Sequence, residues 1–207
     1  MGLVMSGDRL TLTFHGAADT VTGSCMEFAF GKRRVLVDCG LFQGSRSLEA
    51  LNLGEFAFDP RKIEAVVLTH AHIDHSGLLP KLAAQGFAGA IWCTPATRDL
   101  LEFMLADAGR IQEMDAERHN RRRDRANETP FTPLYTERDA MTAWRLCKPV
   151  ELNVWFEPAP GIRARLWNAG HVLGSASVEI EAEGVHCMCS GDVGPEFKAF
   201  PADPDSP

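Results

Sequence analysis

His70-Ala71-His72-Ile73-Asp74-His75 sets four side chains of metal-ligand type within six residues, directly behind the apolar run Ile63-Glu64-Ala65-Val66-Val67-Leu68-Thr69. An apolar, β-branched stretch of that length predicts a buried strand, so the ligand run begins where a strand ends and a loop starts. In an extended segment alternate side chains share a side. His70, His72 and Asp74 are then expected to point one way and His75 the other, an arrangement that serves two ions. Downstream, Ser76-Gly77-Leu78-Leu79-Pro80-Lys81-Leu82 predicts an amphipathic helix with Ser76 or Asp74 as its cap.

Imidazoles with carboxylates and no cysteine suit zinc, and an open coordination position separates a catalytic site from a structural one. Two cations sharing a water bring its pKa to about 7 and clamp an oxyanion or phosphoryl group, so hydrolysis is the natural use. Such a site needs ligands from distant positions. One candidate is His171, in Asn168-Ala169-Gly170-His171-Val172-Leu173-Gly174-Ser175, between the strand-like stretches 163–167 and 175–180. Read alone, it is equally a loop histidine bonded to backbone. Another is Asp192, in Ser190-Gly191-Asp192-Val193-Gly194, which follows the alternating Val185-His186-Cys187-Met188-Cys189 and on its own reads as a turn aspartate. Asp38 closes Val35-Leu36-Val37. It fits better as a partner that fixes a histidine tautomer than as a ligand.

Together with Gly16-Ala17-Ala18, Thr20-Val21-Thr22-Gly23-Ser24-Cys25 and Asp38-Cys39-Gly40-Leu41-Phe42-Gln43-Gly44, these segments resemble the metallo-β-lactamase fold, an α/β (α+β) αββα sandwich. More narrowly they resemble the β-CASP branch of RNA-processing nucleases, which includes the polyadenylation endonuclease. The His-x-His-x-Asp-His core belongs to the whole superfamily; the Val-Thr-Gly-Ser and Asp-Cys-Gly-Leu-Phe-Gln-Gly segments point to this branch. Flavodiiron relatives carry a carboxylate where His72 stands, so His72 implies a zinc hydrolase. The resemblance implies that His70, His72 and His171 hold one zinc, that Asp74 and His75 hold the other, and that Asp192 bridges them. It implies catalytic roles for Asp74 and Asp192, a hydroxide between the ions, and RNA as substrate.

In that branch a second domain follows the segment matching Asp192, and the returning chain delivers one more histidine to the second zinc. Here residues 1–194 match the N-terminal part of the lactamase domain, with a helical segment at about 95–146. Residues 195–207 hold four prolines and no apolar periodicity, and they read as a linker toward an absent β-CASP domain. The expectation is a complete first zinc site, a partial second one, and an unfinished sheet that invites self-association.

At 207 residues with 45% apolar content the chain supplies one core, and its net charge of −7 argues against general nucleic-acid affinity. The six cysteines show neither disulfide-framework nor CxxC spacing, which fits a reducing, cytoplasmic setting, and no apolar run suggests a membrane span. Alternation places Cys187 and Cys189 on one strand face, as small hydrophobes. Met1-Gly2-Leu3-Val4-Met5-Ser6 fits a myristoylation pattern without a supporting polybasic patch.

Thr94-Pro95 opens a helix along which Leu100, Leu101, Met104, Leu105, Ala108, Ile111 and Met114 form a packing stripe. A second helix runs from Thr136 to about Leu146, with Asp139 placed for a capping box. Arg121, Arg122, Arg123 and Arg125 are candidate phosphate contacts if the helix end lies near the metal cleft; otherwise they form a solvated face. Substrate-binding residues are not otherwise indicated. Two other functions share the motif: hydrolysis of a small ester, thioester or lactam, or a binding role without catalysis.

Overall fold

The computed structural model describes residues 9–123, 129–195 and 203–206. Its strands are β1 (Leu10–Gly16), β2 (Cys25–Phe30), β3 (Arg33–Val37), β4 (Ala65–Val67), β5 (Ala90–Cys93), β6 (Cys147–Pro149), β7 (Phe156–Ala159), β8 (Ile162–Asn168), β9 (Ala176–Ala182) and β10 (Val185–Cys189). Its α-helices are α1 (Arg46–Glu49), α2 (Ile73–Ser76), α3 (Leu79–Ala84), α4 (Pro95–Arg123) and α5 (Glu137–Arg145). The first sheet has the order β1-β2-β3-β4-β5-β6, antiparallel through β3 and parallel from β3 to β6. The second is antiparallel, in the order β10-β9-β8-β7.

Two apolar clusters hold these layers together. Phe28, Val35, Val37, Ala65 and Val67 from the first sheet meet Ile162, Leu166, Val178 and Ile180 from the second. On the other face of the first sheet, Leu36, Val66, Leu68 and Ile91 meet Leu79 and Leu82 of α3, Leu101 and Leu105 of α4, and Ala140 and Ala143 of α5. β4 is therefore buried on both faces, which is why it reads as a continuous apolar run. Each fully buried Leu or Ile adds about 1.5–3 kcal/mol relative to exposure.

Local signals are realised where they are self-contained. Thr136 and Asp139 form a reciprocal capping box at the start of α5, and Thr94 Oγ1 accepts from Thr97 N at 3.2 Å at the start of α4. Cys189 is buried between the sheets with Cys187 against the same cluster.

Several expectations need correction. Only Ala65–Val67 of the 63–69 run forms a strand, because Leu68 to His72 already belong to the loop. The ligand run is not extended throughout: it turns helical at Ile73, so alternation does not sort its side chains. Neither Ser76 nor Asp74 caps α3, whose first turn has no side-chain cap; Ser76 Oγ instead donates back to Ala71 O at 2.8 Å. Ile111 and Met114 are exposed, so they fall outside the packing side of α4, which continues at the buried Ala116.

The myristoylation-like start, Arg125, and the side chains of Arg122 and Arg123 lie outside the described residues, as do 196–202 and 207 of the linker-like stretch. Asp205 N donates to Asn168 O at 2.7 Å, which lays the 203–206 segment against the end of β8. No helix among the described residues is long and apolar enough to cross a membrane.

Candidate metal centre

β3, β4 and β5 are parallel neighbours, so their C-terminal ends lie along one edge of the first sheet. Asp38 follows β3, Thr69 and His70 follow β4, and Thr94 follows β5. The crevice beyond such strand ends is where open α/β sheets place ligands. His72, Asp74 and His75 are added as the loop turns into α2.

Close backbone approach holds this loop in place. Cys39 N donates to His75 O at 2.8 Å, Ser24 N to Asp74 O at 2.9 Å, and Leu41 N to Ile73 O at 3.0 Å. A Cβ on Gly40 would lie 1.7 Å from Asp74 O, so the loop passes a point that only glycine allows.

The two distant candidates arrive from the second sheet. His171 sits in the β8–β9 loop, where Ser175 Oγ accepts from His171 N at 3.0 Å and from Val172 N at 3.1 Å. Thr94 Oγ1 and Thr97 Oγ1 donate to Gly174 O at 2.6 and 2.9 Å, which moors that loop to the start of α4. Asp192 follows β10, and Gly194 N donates to Ala169 O at 2.8 Å, which ties its turn to the His171 loop.

His70, His72, His171 and Asp192 each offer a ligand atom, and these atoms all lie within 4.8 Å of one another. Asp192 Oδ2 lies 3.4 Å from His171 Nε2 and 3.8 Å from His70 Nε2, while its Oδ1 lies 3.4 Å from His75 Nε2. Asp74 Oδ2 stands 3.9 Å from His75 Nε2. The six candidates from the sequence thus lie in one cluster, with the two carboxylate oxygens of Asp192 facing different histidines.

Behind the cluster, Asp38 accepts from Thr69 N at 2.9 Å, Thr69 Oγ1 at 2.9 Å and Ser24 Oγ at 3.0 Å, and it lies 2.7 Å from His75 Nδ1. With the His75 proton on Nδ1, directed at this carboxylate, Nε2 presents its lone pair toward Asp192. Thr69 Oγ1 also lies 3.0 Å from His70 Nδ1. Thr69, Ser24, Ser175 and the two threonines of α4 were not singled out as site residues from sequence. Their only signal is a hydroxyl beside a ligand segment.

The electrostatics keep the His70 imidazole neutral, with its lone pair free to ligate. Burial first, then the neighbouring His75, His72 and His171, push the His70 pKa down to about 2. Burial also acts to lower His75, but the hydrogen bond to Asp38 and the charges of Asp38, Asp74 and Asp192 outweigh it and raise its pKa above the ordinary value. His70 Nε2 is buried with no hydrogen-bond partner among the described residues. An orphaned imidazole nitrogen facing two more imidazoles and a carboxylate is costly unless a cation occupies the space between them. The donor set fits a divalent metal.

The comparisons agree with this geometry. A ribonuclease of Thermus thermophilus (TTHA0252) is 38% identical over 93% of this chain and 40% of its own length. The transcription termination factor FttA of Methanocaldococcus jannaschii is 31% identical over 92% of the chain and 28% of its own length. The Arabidopsis thaliana cleavage and polyadenylation specificity factor subunit 3-I is 28% identical over 90% of the chain and 25% of its own length. The chain thus spans less than half of these curated relatives. Two of the three names, the ribonuclease and the cleavage and polyadenylation factor, are of the kind the sequence motifs resembled. Among solved structures, the metallo-beta-lactamase fold protein YhfI of Bacillus subtilis superposes with a TM-score of 0.53 at 16% identity, over 87% of this chain and 61% of that one, a likeness of fold alone. The model of the metallo-beta-lactamase superfamily matches residues 18–206, so the fold, the clustered histidines and the family match agree: the chain belongs to the metallo-beta-lactamase superfamily.

Proposed function

We propose that this chain carries the metal centre of a zinc-dependent ribonuclease that hydrolyses RNA phosphodiester bonds. The observation that carries this is the convergence of His70, His72, His171 and Asp192 from segments about 120 residues apart in the chain onto ligand atoms within 4.8 Å. Three neutral imidazoles and a carboxylate are a zinc-like donor set. His70, His72 and His171 would hold the first ion, and Asp74 and His75 the second, with Asp192 shared between them. Bound there, divalent cations supply Lewis-acid charge and make water acidic enough to ionise near neutral pH.

The chain's own residues do the rest. Asp38 holds the His75 proton on Nδ1 and keeps Nε2 as the ligand atom. Asp192 spans both halves of the cluster through its two oxygens. Asp74 is half-buried at the rim, where its carboxylate orients an attacking water or accepts its proton. The named ribonuclease and polyadenylation-factor relatives support RNA as the substrate.

Metal analysis combined with cleavage of single-stranded RNA tests this reading. The expected result is retained zinc, cleavage abolished by a chelator, and at least about a 100-fold loss of cleavage for Asp192→Asn, since even residues that only support ligands cost 10–100-fold. Protein that retains no divalent metal at neutral pH sinks the proposal. Metal-dependent turnover of a small ester, thioester or lactam without RNA cleavage replaces it with the alternative hydrolase.

A further inference from the structure

A groove of about 450 Å³ lies beside the metal-centre loop, between the segment after Asp38 and the far half of α4. Its lining includes Phe42 and Gln43, Glu49 of α1, Asp115 and His119 of α4, and Phe131. Leu41, next to Phe42, donates its N–H to Ile73 O inside the ligand run at 3.0 Å, so one hydrogen bond ties the groove's edge to the metal loop.

The backbones of its two phenylalanines are held in the same way. Asn52 accepts from Phe42 N at 2.8 Å and donates to Phe42 O at 2.7 Å. Asn120 accepts from Phe131 N at 2.7 Å and donates to Phe131 O at 2.9 Å. Each phenylalanine is thus clamped at both backbone groups by one amide side chain. The His119 ring adds an edge-on contact to Phe131 at a centroid distance of 5.8 Å. The polar lining sets two carboxylates among neutral amides: Asp115 pairs with Arg118 at 3.0 Å, whereas Glu49 has no ion-pair partner among the described residues.

We propose that this groove is a nucleobase subsite that takes one unpaired base of a single-stranded RNA, with preference for bases bearing an exocyclic amino group. The proposal rests on the ribonuclease reading and names a second contact for its substrate. Phe131, with the His119 ring set edge-on to it, suits a flat ring, because every base has a π-face that stacks on phenylalanine or histidine. The carboxylate of Glu49 repels a phosphate but accepts the amino N–H of cytosine, adenine or guanine, as carboxylates do for cytosine N4. The volume lies within the usual range for small-ligand pockets of about 300–1,000 Å³.

The test is a titration of the metal-free full chain with cytidine and with uridine, followed by backbone amide shifts. Nucleosides carry no scissile phosphate and the sample holds no metal, so the outcome is independent of whether the chain cuts RNA. Cytidine is expected to bind with a dissociation constant on the order of a millimolar, with shifts centred on residues 42–43 and 131. Uridine should bind several-fold more weakly, and Glu49→Gln should remove the difference. Phe131→Ala should weaken both by about tenfold, in line with stacking measurements. Phe42→Leu serves as the second variant, and the amide spectrum itself reports whether either variant is folded. Shifts confined to other surfaces, or equal response to cytidine and to free ribose, overturn the proposal.

Discussion

Asp38 sits in the left-handed region, with φ at 62°, and is fully buried. A non-glycine residue held there costs of order 1–3 kcal/mol unless its surroundings enforce it. Here Thr69, Ser24 and His75 enforce it by occupying both carboxylate oxygens. In this placement its Oδ2 lies 2.7 Å from His75 Nδ1. The roles of His171 and Asp192 were less legible. A loop histidine and a turn aspartate look alike whether or not they converge, since convergence is decided by sheet packing that no local pattern encodes.

The same residues predict a pH dependence for the metal-free protein. His70 is held neutral, with its pKa pushed down to about 2 by burial and by His75, His72 and His171, while the unfolded chain takes up that proton near pH 6.5, roughly the ordinary value. The unfolded state then binds more protons, so stability falls as pH drops below about 6.5, by up to about 1.4 kcal/mol per unit. His75 works in the opposite direction. Burial acts most strongly on its pKa, downward, but the hydrogen bond to Asp38 and the charges of Asp38, Asp74 and Asp192 together raise it; its contribution is complete below about pH 6.5 and is lost as pH rises through the folded value. Urea unfolding of metal-free protein across pH 5 to 9, buffered at about unit steps, should show a maximum near the ordinary histidine pKa. In His70→Gln the acid-side slope should vanish. A wild-type profile flat between those limits would contradict this account.

At the level of elements, what could be read from the sequence was what depends on a few neighbouring residues. The capping box of Thr136 and Asp139, the Thr94-Pro95 helix start and the strands on either side of His171 all appear. The ligand run was misread as extended because its conformation is set from outside, by Cys39, Leu41 and Ser24 bonding to His75, Ile73 and Asp74. Glycines mark where such external constraints are tightest. A Cβ on Gly194 would lie 1.9 Å from Gly170 O, at the junction that joins the Asp192 turn to the His171 loop. Gly194→Ala is therefore expected to push these loops apart. The result would be a protein with near-normal helix content, stability lower by about 1–3 kcal/mol, and zinc retention reduced at least tenfold in chelator competition. Unchanged zinc retention in a folded Gly194→Ala protein would count against the pairing of these loops.

For the molecule as a whole, the two sheets leave open edges on the same flank. β1 pairs only with β2, and β10 only with β9, among the described residues. A groove of about 320 Å³ between them is lined by Leu12 and Phe14 of β1, by Val21 and by Met188 of β10, with His75 and Asp192 among its other lining residues. β10 carries no Lys, Asp, Glu or Pro, the residues that usually blunt an edge. Concentration-dependent association through this flank is expected in sedimentation velocity, and Met188→Lys should shift the protein toward monomer. A wild-type chain that sediments as a monomer at every concentration would rule this out. The arginine run had no local signature that separated a solvated face from a substrate contact, since that distinction depends on where α4 ends relative to the Phe42 loop.

The 29-residue helix α4 has a mechanical consequence. A rod of that length reaches about 43 Å; one tip is pinned to the Gly174 carbonyl by two threonine hydroxyls, and the distal half forms a wall of the aromatic groove. Between those ends α5 braces the rod, with Trp144 Nε1 on Arg98 O at 3.2 Å and Gly109 close beneath Glu137 N, so the separation of the groove from the His171 loop is set by one stiff strut.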